Sequence, residues 1–179
     1  MKKLSSILIF ILALVFAAPV VCNSEFVFSD TPIADNMPAN GLVTRQFNSI
    51  TFQHNPSYII EEKDDSNLLI TIDPDSTIMN VFATDVSEYD DSFKDVFKFL
   101  HYNFVLKTDG AHDIEEFNVQ IAGVDAKCAT LLITQGLTTL TSSVFVFDDG
   151  NWSYCFWFYT ATNKYNQEFV DLIKTIQFI

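Results

Sequence analysis

Glycine, proline and arginine are scarce in this sequence, and each shortage excludes a class of protein. Five glycines and five prolines in 179 residues are too few for a collagen-like or low-complexity chain. Arg45 is the only arginine. The clustered positive charge that nucleic-acid binding requires is therefore missing. The same shortage argues against a surface that binds anionic membranes.

Motifs of cofactor chemistry are also absent from the sequence. It contains neither GxGxxG nor GxxxxGK[ST], the loops that cradle phosphates. Its three cysteines, at positions 22, 128 and 155, show no CxxC or Cys/His spacing. We therefore expect no cofactor and no zinc or redox centre. Cys128 and Cys155 lie in apolar, strand-like runs, where a disulfide in an oxidising compartment and two buried thiols are both compatible with the sequence.

What the chain does contain is enough apolar material for one folded domain. Hydrophobic residues make up 49% of it and include 18 phenylalanines, which excludes disorder for most of its length. Its formal charge is −13. A strongly acidic surface is typical of a soluble protein and also fits a basic partner.

The first 22 residues have the layout of a secretory signal peptide. Lys2 and Lys3 precede an apolar run over residues 4–21, and small residues at 17 and 18 offer a cleavage site, as does the region near Ser24. Two alternatives remain: membrane anchoring by residues 4–21, and lipid on Cys22. The run is shorter than the roughly 20 residues a spanning helix needs, and Val21 is a poor residue before a lipidated cysteine. Export to the cell surface or the medium is the main prediction.

After the leader, the sequence predicts an arm and then one α+β domain. Residues 23–44 are rich in turn formers and are interpreted as a linker, and residues 45–179 as the domain. Runs of β-branched and aromatic residues predict strands at 50–53, 68–72, 78–85, 116–121, 126–134, 137–147 and 152–159. A charged turn is predicted at 61–66, a short helix at 167–174 and a short edge strand at 175–179.

Between the third and fourth of these strands the hydrophobic period changes to that of a helix. An apolar stripe recurs at spacings of three and four residues, on Phe93, Val96, Phe97, Leu100 and Phe104. It predicts a helix of about four turns from near Asp90 to Lys107.

The run at 152–159 is apolar at both odd and even positions, which is typical of a central strand covered on both sides. We therefore expect an antiparallel sheet of about six to seven strands with helices on both faces. The aromatic residues of this run are interpreted as core, with the wall of a ligand pocket as the alternative.

Four segments resemble the PsbP-like superfamily, which includes thylakoid-lumen PsbP proteins, a Ran-binding nuclear factor and many exported prokaryotic proteins. They are the opening strand at 50–52 with Pro56 and Tyr58, the glycine turn at 121–126, the aromatic run at 154–161 and the closing segment at 173–178. Tyr58 departs from the family's usual tryptophan, and Thr175 stands where serine is common. The resemblance spans about 45–179 and implies an α/β/α sandwich. It implies no common activity, because this fold hosts unrelated roles.

The candidates for chemistry are three histidines and two acidic turns. His54 lies near Ser57 without a nucleophile signature, and His101 flanks the helical stripe. His112 sits among Asp109, Asp113, Glu115 and Glu116 in what is interpreted as a solvated loop after the helix. The turns at 73–75 and 148–151 offer carboxylates to calcium but lack the EF-hand pattern. Asn151-Trp152-Ser153 fits the N-glycosylation sequon.

No catalytic, cofactor or metal residue is therefore predicted. The sequence favours an exported, non-enzymatic binding, scaffold or accessory domain, whose protein or small-molecule partner is not identified. A small-molecule or calcium-binding protein is one alternative. A hydrolase with an unrecognised site around His112 or His54 is the other.

Overall fold

The computed structural model describes residues 41–73, 76–162 and 166–179. The predicted signal peptide, the possible lipid site at Cys22 and most of the predicted linker lie outside these ranges. Within them, no helix combines the length and the apolar character needed to cross a membrane.

Strands dominate the described chain, and two helices interrupt them. The elements in chain order are β1 (Val43–Phe47), β2 (Ile50–His54), β3 (Ile59–Asp64), β4 (Asn67–Asp73), β5 (Thr77–Asp85), α1 (Asp91–Leu106), β6 (Ala111–Ile121), β7 (Val124–Gln135), β8 (Thr138–Asp148), β9 (Trp152–Thr160), α2 (Asn166–Lys174) and β10 (Gln177–Phe178).

Seven strands form one sheet in the order β3-β4-β5-β9-β8-β7-β6, with antiparallel pairing at every step. The predicted antiparallel sheet is therefore confirmed. The doubly apolar strand β9 lies fourth of the seven, between β5 and β8, as its composition indicated. A second sheet, in the order β1-β2-β10, was not predicted.

Two of the sequence predictions need correction. Residues 61–64 of the segment interpreted as a charged turn form most of β3, whose residues are mainly exposed, and residues 65 and 66 form a turn. Charged residues are compatible with an edge strand, because one edge of its backbone faces solvent. The first strand begins at Val43, inside the segment interpreted as a linker.

The side chains of β9 alternate between two buried clusters. Tyr154, Phe156 and Phe158 belong to the first, here called the phenylalanine cluster, together with Phe145 and Phe147 of β8. Helix α2 adds Phe169, Leu172 and Ile173 to this cluster, and the three-stranded sheet adds Phe47, Ile50 and Phe52.

The second cluster contains Cys155, Trp157 and Tyr159 and is here called the tryptophan cluster. It also contains Val144 and Val146 of β8, and α1 contributes Tyr102 and Val105 to it. The aromatic residues of β9 thus pack as core, as the sequence indicated. Trp157 keeps its indole N–H satisfied by donating to the Ser142 hydroxyl, 2.9 Å away.

Helix α1 forms where the sequence predicts it, but four residues of the predicted apolar stripe lie on the exposed side. Phe93, Val96, Leu100 and Phe104 are 56%, 60%, 57% and 51% exposed. Such a stripe ordinarily faces the core. Here the helix buries Tyr102 and Val105 instead, at 1% exposure each.

Gly110 connects α1 to β6 in a conformation that favours glycine. Its φ is +81°, and a Cβ at this position would collide with the carbonyl oxygen of Thr134. Gly123, in the β6–β7 turn, has a similar φ of +86°, with open space around the equivalent position.

We predict that Gly110→Ala destabilises the protein more than Gly123→Ala. Both variants place alanine at a positive φ, which costs about 1–3 kcal/mol, and only the first adds a steric clash with backbone. Urea unfolding of both variants measures the difference. Equal losses would contradict the close contact between Gly110 and β7.

Candidate functional site

The three histidines lie in three separate environments. His54, at the end of β2, is 9% exposed, and its Nδ1 is 2.9 Å from the carbonyl oxygen of Asn55. Its ring stacks on Tyr58 at a centroid distance of 6.3 Å. The nearby Ser57 hydroxyl donates to the Asn55 side chain instead. His54 and Ser57 therefore do not form the base–nucleophile pair that a hydrolase requires.

His101 is a packed histidine on α1. Its ring lies parallel to that of Phe82 on β5, with centroids 4.7 Å apart and an interplanar angle of 6°. Burial lowers the pKa of His101, because the charged form loses solvation. This histidine joins the helix to the sheet through its neutral ring.

His112 is the histidine with polar partners on both ring nitrogens. Its Nδ1 lies 3.1 Å from an Asp113 carboxylate oxygen, and its Nε2 lies 2.9 Å from the Thr134 hydroxyl. The Thr134 hydroxyl in turn lies 2.9 Å from that of Thr139. We call these four residues the His112 cluster. Carboxylate, imidazole and hydroxyl occur in the order found in hydrolytic triads.

The sequence interpretation of this segment was only partly right. His112 lies on the edge strand β6 and not in a loop after the helix, since β6 begins at Ala111. Strand pairing brings in Thr134, from β7, and Thr139, from β8. No sequence motif links residues 22 and 27 positions away from His112, so this grouping required the register of the sheet.

The His112 cluster lacks the protection that acyl transfer needs. The His112 and Asp113 side chains are 44% and 74% exposed, so water weakens their electrostatic coupling. The Thr134 amide donates to the Gly110 carbonyl oxygen, 3.0 Å away. It is therefore not free to stabilise an oxyanion beside its own hydroxyl.

Glu116 is close to His112 in the sequence, but its carboxylate contacts Tyr102 and Lys127 and does not join the His112 cluster. The Tyr102 hydroxyl donates to its carboxylate at 2.7 Å and lies 3.2 Å from the Cys128 carbonyl oxygen. Lys127 lies 3.1 Å from the same carboxylate and 4.6 Å from the centre of the Tyr102 ring. The hydrogen bonds from Tyr102 and Lys127 lower the pKa of Glu116. Burial raises the pKa of Tyr102 above its usual range.

These contacts form a latch, the Tyr102 latch, between α1 and strands β6 and β7. Because a buried tyrosine hydroxyl loses a hydrogen bond if the helix turns about its axis, the latch favours the observed rotation of α1. It also explains why the apolar stripe of α1 is exposed.

A second latch joins the two sheets. In the turn between β1 and β2, the Ser49 amide donates to the Tyr154 hydroxyl at 3.1 Å, and the Ser49 hydroxyl donates to Asp149. Asp149 also accepts the amides of Asn151 and Trp152 at 2.8 and 2.7 Å. A carboxylate predicted as a calcium candidate is thus used to hold the β8–β9 turn.

The other turn considered for calcium, at 73–75, also uses a carboxylate in a local hydrogen bond. The Ser76 hydroxyl donates to Asp73 at 2.8 Å, whereas residues 74 and 75 lie outside the described ranges. Among the described residues, no group of three or more histidine, cysteine, aspartate or glutamate side chains is placed to hold a metal ion.

Cys128 and Cys155 are free, buried thiols. Cys128 belongs to the phenylalanine cluster and Cys155 to the tryptophan cluster, and β8 separates their strands. Burial raises the pKa of both thiols above the usual range, which disfavours the reactive thiolate. Of the two alternatives left open by the sequence, the structure shows the buried thiols.

The sequon lies where a glycan could reach it. Asn151 is exposed in the β8–β9 turn, whereas the Ser153 that completes the motif is 5% exposed.

Comparison with known proteins identifies the fold. No protein-family model matches the sequence, and no curated protein matches it. Among solved structures, the cyanobacterial PsbP protein CyanoP from Synechocystis sp. PCC 6803 is 10% identical with a TM-score of 0.55, and the match covers 84% of this chain and 100% of that one. The predicted PsbP-like fold is therefore confirmed.

A second match is a protein from Bacteroides thetaiotaomicron VPI-5482, solved at 1.50 Å. It is 16% identical with a TM-score of 0.52, and the match covers 73% of this chain and 45% of that one. The present chain thus corresponds to less than half of the Bacteroides protein. At these identities the likeness concerns the fold alone.

We predict that His101 makes stability depend on pH. Because burial lowers the pKa of His101 below the usual value of 6.5, the unfolded chain takes up a proton before the folded one does as pH falls. The stabilisation is complete above pH 6.5 and is lost as pH falls toward the lowered folded value. In urea unfolding at pH 7.5 and pH 5.5, His101→Phe should lose less stability between the two pH values than the wild type.

Val105→Ala serves as the matched control for this measurement. It removes a buried, non-titrating side chain from the same helix. Its free energy of unfolding should therefore lie below that of the wild type by the same amount at both pH values. An unchanged pH dependence in His101→Phe would contradict the assignment.

Proposed function

We propose that this PsbP-like chain is exported and acts as a non-enzymatic accessory domain, holding or positioning a partner without transforming it. One observation carries the proposal. Apart from the exposed His112 cluster, the polar side chains most suggestive of chemistry are used in separate structural contacts and do not converge on one site. His54 caps a strand end, His101 stacks on Phe82, and Asp149 holds a turn.

The layered architecture also supports this proposal. We infer an α/β/α sandwich, because α1 packs with the tryptophan cluster and α2 with the phenylalanine cluster. Successive residues of a strand point to opposite faces of its sheet, and β9 supplies alternate residues to the two clusters. A sheet covered in this way has its faces committed to the core and leaves edges, turns and outer helix faces for partners.

Support for export comes from the sequence of the leader. Two lysines followed by an apolar run match the layout of a signal peptide. The acidic composition suits a soluble extracytoplasmic domain. Retention of residues 4–21 as an anchor, or lipid on Cys22, would place the same domain at a membrane surface.

A hydrolase is the second candidate function, because the His112 cluster aligns a carboxylate, an imidazole and a hydroxyl. In that case Thr134 would act as the nucleophile and His112 as its base. The exposure of His112 and Asp113 and the engaged amide of Thr134 make us prefer the accessory role.

We predict that the chain is shortened at its N-terminus during export. When the full-length chain is expressed with a C-terminal tag in an export-competent host, the exported form should lack about the first 17–24 residues, within the usual range of signal peptides. Intact-mass spectrometry of each cell fraction measures this.

Leu8→Arg and Leu12→Arg together interrupt the apolar run and should hold the chain in the cytoplasm. An unprocessed chain in the cytoplasm of cells expressing the natural sequence would overturn the export proposal.

We also predict that His112→Gln and Thr134→Val are neutral in assays with ester and peptide substrates. The accessory role implies no turnover above background for the natural chain or for either variant. Thr84→Val, on β5, is the matched control for loss of a threonine hydroxyl. Turnover that disappears in His112→Gln and Thr134→Val but persists in Thr84→Val would establish the hydrolase instead.

A further inference from the structure

The outer face of α1 is an exposed apolar surface, and Phe104 at one end of it also contacts the ring of Trp157 at a centroid distance of 6.2 Å. We call Phe93, Val96, Leu100 and Phe104 the α1 stripe; each of these side chains is more than half exposed. They recur along three turns of one helix face and so form a continuous patch. Contiguous apolar patches on soluble proteins commonly mark interaction sites, because removing apolar surface from water drives association.

We propose that a second copy of this chain covers the α1 stripe, with the two α1 helices packed antiparallel about a twofold axis. This assembly goes beyond the accessory role and does not depend on whether the chain is exported. Twofold dimers are the commonest symmetric assemblies, and their interfaces must be self-complementary. The stripe meets this condition in the spacing and type of its side chains. The charged residues at the two ends of α1 meet it as well.

Spacing and side-chain type provide the first argument. In an antiparallel pair centred between residues 98 and 99, Phe93 of one copy faces Phe104 of the other. Val96 then lies one residue, or about 1.5 Å along the axis, from the level of Leu100 of the other copy. Aromatic residues therefore meet at both ends and aliphatic residues in the middle. Aromatic pairs at an interface add favourable edge or offset contacts to the buried area.

Charge provides the second argument. Asp90 lies immediately before α1 and Lys107 immediately after it, and both are exposed. Antiparallel packing places Lys107 of one copy near Asp90 of the other, and it also opposes the helix dipoles favourably. Parallel packing would instead place Asp90 beside Asp90.

The available area indicates a weak dimer. Full burial of an aromatic side chain removes about 150–250 Å² from water. Four half-exposed side chains, two of them the smaller Val96 and Leu100, therefore offer at most about 400 Å² per copy. Two copies bury at most about 800 Å², below the roughly 1,200–2,000 Å² of a standard stable interface. Each copy also carries a formal charge of −13, so repulsion opposes association until salt screens it.

The edges of the large sheet are unsuited to dimerisation. Edge strand β3 carries exposed charges and a bulge between Glu62 and Asp64. Edge strand β6 carries exposed acidic residues and a bulge between His112 and Glu115. Charges and bulges of this kind prevent strands from pairing across molecules, which leaves the helix face as the favoured surface.

Sedimentation velocity of the purified natural chain from about 10 μM to about 1 mM, the range of a weak complex, tests the proposal. We expect the mass to rise toward that of a dimer. The dissociation constant should fall when sodium chloride is raised, because screening reduces the repulsion between acidic copies. A monomer throughout, or association that weakens with salt, would overturn the proposal.

Leu100→Asp should weaken the dimer by about tenfold or more, as truncation of a central interface residue does. The control is Val43→Asp, which adds the same charge at a position 45% exposed on β1. Val43→Asp should keep the dissociation constant of the natural chain. Thermal unfolding checks that both variants fold, and Phe93→Ser gives a second disruption. A dimer that survives both stripe substitutions would refute the proposed interface.

Cross-linking tests the antiparallel arrangement. Val96→Cys mixed with Leu100→Cys should form an intermolecular disulfide faster than Val96→Cys alone, because residue 96 lies close to the level of residue 100 of the other copy. The natural Cys128 and Cys155 are buried and provide the background. Faster cross-linking of Val96→Cys alone would indicate parallel helices and contradict the model of pairing. A natural chain that is exported normally but stays monomeric would refute this inference and leave the accessory role intact.

Discussion

The structure depends on the burial of β9 on both of its sides. Every residue from Ser153 to Thr160 is buried, and the strand is paired along its length to β5 and β8. Leaving one face open would expose Tyr154, Phe156 and Phe158, and leaving the other open would expose Trp157 and Tyr159 beside Cys155. A large apolar side chain contributes about 1.5–3 kcal/mol when buried. The strand must therefore be covered on both sides. The phenylalanine cluster covers one side of the strand, and the tryptophan cluster covers the other.

The sequence predicted much of this arrangement because composition and periodicity report on burial. β9 was recognised as central because it carries apolar residues on both of its faces, and the main helices and strands followed from their hydrophobic periods. β3 was missed because an edge strand keeps its charged side chains in solvent, so its sequence resembles that of a turn. β1 was missed because it begins in a segment rich in turn formers.

The orientation of α1 and the His112 cluster were beyond the reach of sequence patterns. The stripe on α1 has the spacing of a buried face, yet the Tyr102 latch favours burial of the opposite side. That latch depends on Glu116 and Lys127 from neighbouring strands. The His112 cluster likewise depends on Thr134 and Thr139, which only strand register brings together. Contacts between residues far apart in the chain decide the orientation of α1 and the membership of the His112 cluster, whereas hydrophobic periods and short motifs are local.

The rotation of α1 is the central claim, since the exposed stripe and the proposed dimer both follow from it. Hydroxyl-radical footprinting of the dilute chain, read out residue by residue by mass spectrometry, measures this rotation directly. The structure predicts rapid oxidation of Phe93, Leu100 and Phe104 and protection of Tyr102, which is 1% exposed. Protection of Phe93, Leu100 and Phe104 together with oxidation of Tyr102 would show that the helix turns its stripe to the sheet, and would contradict this account.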